Sequence, residues 1–211
     1  MIVDPLVLLA FLPAALALNL TPGADMMFCL GQGLRAGPRA AVAASGGIAM
    51  GGVIHAGIAG LGLSALIAAQ PGALDVIRWI GVAYLLILAV QTLRAPAPAT
   101  AAAGQAVPQA ANRAFFQGLL VNLTNPKVIL FVLAFVPQFV DPARGAVLAQ
   151  FLIYGAVLSL GGFVINGAVG VFAARGAGRL TGNPRLSRVL GWISAGIFAA
   201  LALRLALLQK G

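Results

Sequence analysis

Residues 40–74 read AAVAASGGIAMGGVIHAGIAGLGLSALIAAQPGAL, without one Asp, Glu, Lys or Arg. A helix needs roughly 20 apolar residues to cross a lipid hydrocarbon core, and this run is longer. Further charge-free windows lie on either side, at Pro5 to Ala24, Val128 to Val140 and Gly145 to Ala174. The runs are continuous and do not alternate, so they read as spanning helices and not as barrel strands. Composition agrees: 61% of the 211 residues are hydrophobic, 8% are charged, and the mean hydropathy is +1.03. Soluble domains carry about 25% charged residues, so lipid must be the solvent for most of this surface.

Six spans are expected, near Pro5 to Leu30, Ala40 to Ala69, Leu74 to Leu93, Ala114 to Val136, Gly145 to Ala174 and Val189 to Leu208. The class is all-α integral membrane, in a single transmembrane domain. The stretch from Ala95 to Asn112 is rich in Pro and Ala and reads as a flexible linker. No Lys or Arg precedes the first apolar run, so it is expected to stay as a span and not to be cleaved as a signal peptide.

The net charge is +9, from 13 basic residues against four Asp. The basic residues fall between the apolar runs and form no basic face, which speaks against nucleic acid. Odd connections hold Arg35, Arg39, Arg94, Arg113, Arg175, Arg179, Arg185 and Arg188. Even connections and the C-terminus hold Arg78, Arg144, Arg204 and Lys210. Eight against four places the odd connections in the cytoplasm and both termini in the periplasm.

The chain repeats across the linker. Asn19-Leu20-Thr21-Pro22-Gly23 recurs as Asn122-Leu123-Thr124-Asn125-Pro126-Lys127. Gly51-Gly52-Val53-Ile54-His55-Ala56-Gly57 recurs as Gly161-Gly162-Phe163-Val164-Ile165-Asn166-Gly167. Repeats of residues 1–94 and 113–211 with three spans each must insert in opposite senses, the inverted-repeat plan of many secondary transporters. Pro22-Gly23 and Asn125-Pro126 then break spans one and four, because proline lacks a donor and clashes with the preceding turn. Broken midplane helices offer free carbonyls and half-helix ends to a ligand or ion.

Each polar residue near these breaks has a functional and an ordinary reading. Lys127 lies deep in an apolar run, where a cation is costly and marks a pathway; the ordinary reading is that it snorkels to an interface. Asp25 carries a proton or attracts a cationic amine, or else caps the half-helix that starts at Met26. Asn19, Asn122, Asn125, Thr21 and Thr124 satisfy the broken backbone first and contact substrate second. His55 relays protons or bonds a neighbouring helix, and the ordinary reading of Asn166, its repeat mate, is likewise a bond to a neighbouring helix. Asp75, Arg78, Asp141 and Arg144 read as interfacial anchors, and Met26-Met27-Phe28 as packing.

These residues resemble a known family. Thr21-Pro22-Gly23-Ala24-Asp25 followed by Gly33-Leu34-Arg35-Ala36-Gly37 is similar to the N-terminal signature of the LysE/RhtB amino-acid exporters. So are Gly46 to Gly62 with His55, the run from Gln117 to Lys127, and Phe135 to Pro142. The resemblance covers nearly the whole chain. It implies a bacterial inner-membrane carrier that exports amino acids or related metabolites such as lysine, arginine, threonine, homoserine or its lactone, driven by the proton or membrane potential. It carries over a site at Pro22, Gly23, Asp25, Asn122, Asn125, Pro126 and Lys127. Ala24 departs from it, since many members have a second proline there.

Other classes fit less well. A membrane enzyme needs a nucleophile with a base, a carboxylate pair or a metal cluster. One His, one Cys and four scattered Asp supply none of these. A metal-cation exporter would want clustered oxygens or thiolates, and a channel would not concentrate its solute. No cofactor or resident metal is expected. Protons are one candidate coupling ion beside the membrane potential, and the glycine-rich spans suit a homodimer.

Overall fold

The computed structural model describes residues 2–69, 73–94, 110–177 and 184–207. They are almost entirely helical: α1 (Pro5–Leu20), α2 (Ala24–Ala36), α3 (Pro38–Ala69), α4 (Ala73–Arg94), α5 (Ala111–Leu123), α6 (Pro126–Leu130), α7 (Val147–Phe172) and α8 (Pro184–Leu207). A π-helical turn at Phe131–Phe135 and a 3-10 turn at Val136–Phe139 extend α6, and a π turn at Ala173–Ala177 extends α7. Most of the expected linker lies outside the described residues, as do Arg179, Lys210 and the side chains of Asp75, Arg78 and Arg204.

Local chemistry sets the helix ends. Asp4 caps α1 by accepting from Leu6 N at 2.9 Å, with Pro5 in the first turn, where its missing N–H costs nothing. The helix stops before Pro22. Gly37, at φ 86°, ends α2 in the left-handed region that favours glycine. Helix α2 thereby runs to Ala36, six residues past the expected end of the first span. Asn125 caps α6 by accepting from Lys127 N at 3.1 Å, with Pro126 following.

Among the described residues, Pro38–Leu63 and Val147–Arg175 are each long and apolar enough to cross a membrane. Two bent pairs, Pro5–Leu20 with Ala24–Ala36 and Ala111–Leu123 with Pro126–Phe139, pass the same test together, and both bend by 53°. Shorter apolar stretches lie at Trp79–Arg94 and Gly191–Leu203. The exterior is what lipid requires: Leu6, Leu61, Leu160, Trp192 and Leu203 all lie exposed.

Helix α3 lies against α7 and α5, α2 packs on both α3 and α7, α1 touches α7 and α8, and α4 pairs with α8. Glycine permits these approaches, since small residues let backbones meet in lipid. A Cβ on Gly33 would overlap the Gly170 carbonyl, one on Gly47 the Phe115 carbonyl, and one on Gly118 the Ala44 carbonyl. Gly47→Ala is therefore expected to cost about 1–3 kcal/mol, because neither backbone can yield. Gly62→Ala, whose Cβ would meet nothing within 4 Å, should be neutral or slightly stabilising. Thermal unfolding of the two variants in detergent compares them.

An aromatic cluster closes one end of the bundle. Phe11 stacks within 5.0–6.5 Å of Phe131, Phe135, Phe139 and Tyr154. Outside it, Arg144 bonds Asp4 at 3.1 Å and Asp141 at 3.2 Å. Buried Gln150 fastens the same loop by donating to the Asp141 and Gly145 carbonyls, both at 2.8 Å. Arg35, Arg39, Arg113 and Arg175 are all exposed. The turn carrying Arg175 packs on α2, whose last turn carries Arg35.

Candidate functional site

The two breaks face each other, and each half's charged residue is held by the other half. Asp25, in the first turn of α2, accepts from Asn122 Nδ2 at 2.9 Å and from Asn125 Nδ2 at 3.0 Å, one bond on each carboxylate oxygen. Lys127, in the first turn of α6, donates through Nζ to the Leu18 carbonyl at 3.1 Å and the Thr21 carbonyl at 3.0 Å. Those carbonyls belong to the last turn of α1 and the residue beyond it. Pro22, with no N–H, and the end of the helix leave them without the usual amide partners. The Lys127 ammonium takes the place of those amides. Gly23 makes room for it, since a Cβ there would stand 3.1 Å from Nζ.

Both charges thus take the inward reading. Asp25 does not cap α2, because Gly23 holds the cap position with no side-chain bond. Lys127 turns to the opposite break instead of reaching for an interface. Tyr84 on α4 braces the same turn, donating to the Lys127 carbonyl at 2.7 Å.

Thr21 Oγ1 returns to the Ala17 carbonyl at 2.6 Å, and Thr124 Oγ1 to the Leu120 carbonyl at 2.9 Å. Each of these oxygens already accepts the same residue's backbone N–H, so these two bonds satisfy no group freed by the break. Asn125 serves twice, as the cap of α6 and as a donor to Asp25. Asn19 does not serve its own break; it donates to the Leu158 carbonyl of α7 at 3.0 Å. His55 donates from Nε2 to the Asn122 carbonyl at 3.2 Å, tying α3 to the end of α5.

The repeated residues meet crosswise. A Cβ on Gly51 would lie 2.6 Å from Asn122 Oδ1, and one on Gly161 would lie 2.8 Å from Asn19 Nδ2. Each break's asparagine therefore fits against the glycine pair of the other half. Two small cavities open between the breaks, of about 30 Å³ and about 20 Å³. Leu18, Asn19, Asp25, Val128 and Asn166 line both. The larger adds Asn122 and Ser159, and the smaller adds Thr21 and Lys127. A water needs about 10–15 Å³ of such space, so each has room for one or two waters and neither has room for an amino acid. This is a closed form in which Asp25 borders both lobes and Lys127 borders the smaller one.

The sequence model of the LysE type translocator family matches residues 16–209. The chain belongs to that family. It is 34% identical over 200 residues to a protein of Vibrio cholerae named only as an uncharacterized membrane protein, covering 94% of this chain and 95% of that one. It is 33% identical over 197 residues to a homoserine/homoserine lactone efflux protein of Salmonella typhimurium, covering 93% and 94%. It is 27% identical over 200 residues to a leucine efflux protein of Salmonella choleraesuis, covering 95% and 94%. No solved structure matches it. As a LysE type translocator the protein is membrane-embedded, and it is a transporter and not an enzyme.

Several polar residues at or near the breaks were not singled out from the sequence. Ser159 stands two residues before Gly161-Gly162, and nothing in an apolar run sets it apart from any other serine. Tyr84 comes from a helix with no motif. Gln32 and Gln117, 3.4 Å apart between α2 and α5, would have needed the fold to be paired.

Proposed function

We propose that this translocator exports zwitterionic amino acids through a site made by the two helix breaks. The observation that carries the reading is the reciprocal latch, Asp25 on the amides of the second break and Lys127 on the carbonyls of the first. A substrate ammonium competes with those amides for Asp25, and a substrate carboxylate competes with those carbonyls for Lys127. One zwitterion releases both latches together. A solute with a single charge releases only one. The binding energy of the right substrate then drives the closed form open.

The wider scheme is alternating access between inverted repeats of residues 1–94 and 113–211, each a broken span, a long span and a shorter one. The matching 53° bends and the crosswise fit of Asn19 and Asn122 support it. The aromatic cluster, with Asp4 and Arg144 outside it, is the periplasmic closure. The exposed Arg residues mark the cytoplasmic end, so both termini are periplasmic, in the inner membrane of a bacterium. Export is coupled to protons. The relatives named for homoserine and leucine make small neutral amino acids the first candidates, while homoserine lactone, which has no carboxylate, would engage Asp25 alone.

Reconstituted vesicles test this. Vesicles loaded with labelled homoserine or leucine should lose label faster than protein-free vesicles, and an imposed proton gradient should accelerate the loss. Release that ignores the gradient would remove the coupling, and no release of any amino acid would remove the substrate class.

A further inference from the structure

We propose that Asn166 is the residue that recognises the α-carbon of a free amino acid, bonding its carboxylate and its ammonium at once. This rests on the zwitterion reading above and adds a specific reader to it. Asn166 sits on α7 and is 5% exposed. Among the described residues its amide makes no hydrogen bond within the protein. Its amide atoms are not sealed off: the enclosed side-chain atoms without a partner among the described residues are Asn122 Oδ1 and Ser159 Oγ, so the Asn166 amide stays open to the cavities it lines. It stands there beside Asp25 and between the lobe of Lys127 and the lobe of Asn122.

Its chemistry fits that place. An amide offers two N–H donors and a carbonyl acceptor a few ångströms apart. The N–H groups suit a carboxylate held by Lys127, and the carbonyl suits an ammonium held by Asp25. The other asparagines near the breaks are engaged: Asn19 with Leu158, Asn122 and Asn125 with Asp25. Asn122 Oδ1 and Ser159 Oγ also lack partners, but they are pressed against Gly51 and Gly52. Asn166 alone combines a wholly unpartnered amide with access to both lobes.

A structural role and a reading role predict opposite outcomes for Asn166→Leu. Replacing an amide that bonds no protein group by an apolar side chain of similar size removes no internal hydrogen bond and should leave thermal stability close to that of the wild type. Removing hydrogen bonds to charged groups should weaken amino-acid binding about ten- to hundredfold. The measurement is ligand-induced thermal stabilisation of the purified full-length protein in detergent, titrated with a panel of free L-amino acids including homoserine and leucine, and with the α-carboxamide of each.

The expected result is that the wild-type protein is stabilised by at least one free amino acid and less by its amide. Asn166→Leu then loses the preference for the free acid while melting close to the wild type. Asn166→Asp keeps the shape and adds a negative charge beside the substrate carboxylate; it should bind the free acid more weakly still, and it serves if the Leu variant does not fold. Wild-type affinity and preference in either variant overturn the proposal. A wild-type protein stabilised by no amino acid overturns the zwitterion reading, and this inference with it.

Discussion

Lys127→Ala is expected to bring export down to the level of cells lacking the protein, with the variant still in the membrane. The substitution removes two charge-assisted bonds, to the Leu18 and Thr21 carbonyls. It leaves both carbonyls short of a donor at the break, and it removes the ammonium that lines the smaller cavity. Bonds to charged groups contribute about 1.5–3 kcal/mol each, so a loss of about hundredfold or more in export follows. Lys127→Arg should not restore it. A guanidinium is a broad planar fork and not a compact point charge, and the ammonium sits beside Gly23 where only a missing Cβ makes room. Export assays with immunoblots of isolated membranes separate lost transport from lost protein. Normal export by Lys127→Ala would remove this residue from the site.

Asp25 allows a cleaner separation of charge from fold. Asn125 is pinned, because its Oδ1 caps α6 and only its Nδ2 faces Asp25. Asn122 is not pinned, since its Oδ1 has no partner. In Asp25→Asn the new amide can accept from Asn125 while Asn122 turns over and accepts in place of donating. Two bonds then still hold the contact, and the unpartnered atom of Asn122 becomes its Nδ2 in place of Oδ1, so the number of unpaired atoms is unchanged and stability should change by less than about 1 kcal/mol. Export should nevertheless fall more than about tenfold, because the substrate ammonium has lost its counter-charge. Asp25→Ala should lose both, since it strands the two amide donors at about 1–3 kcal/mol each. Thermal unfolding beside the efflux assay reads the two effects apart.

The bilayer class was legible because lipid imposes length and apolarity on every span, and the run through residues 40–74 meets both. The two breaks were legible because Pro22 and Pro126 cannot continue a helix without leaving backbone groups unpaired. Lys127 and Asp25 stood out because charge is rare inside such runs. Their partners did not. That Asp25 would sit on Asn122 and Asn125, and Lys127 on two carbonyls of α1, depends on the halves facing each other across about a hundred residues, and no local pattern encodes that distance. The same holds for Asn19, which reads as a backbone-satisfying residue of its own break and instead bonds Leu158 on α7. The ends of spans were blurred where local devices act after the apolar signal fades: Gly37 carries α2 to Ala36, and the π turn at Phe131–Phe135 carries the fourth segment to Phe139. Asn166 was visible as a polar residue, but its lack of a partner is a property of packing alone.

The central claim is that the paired breaks form the export site for a zwitterionic amino acid. Cells overproducing the protein and fed a panel of dipeptides raise single amino acids inside, and the appearance of each outside can be followed over time. The account predicts selective release of one or a few neutral amino acids, abolished by collapsing the proton gradient and abolished in Lys127→Ala. Release of none, with the protein demonstrably in the membrane, or equal release by the wild type and Lys127→Ala, would contradict it.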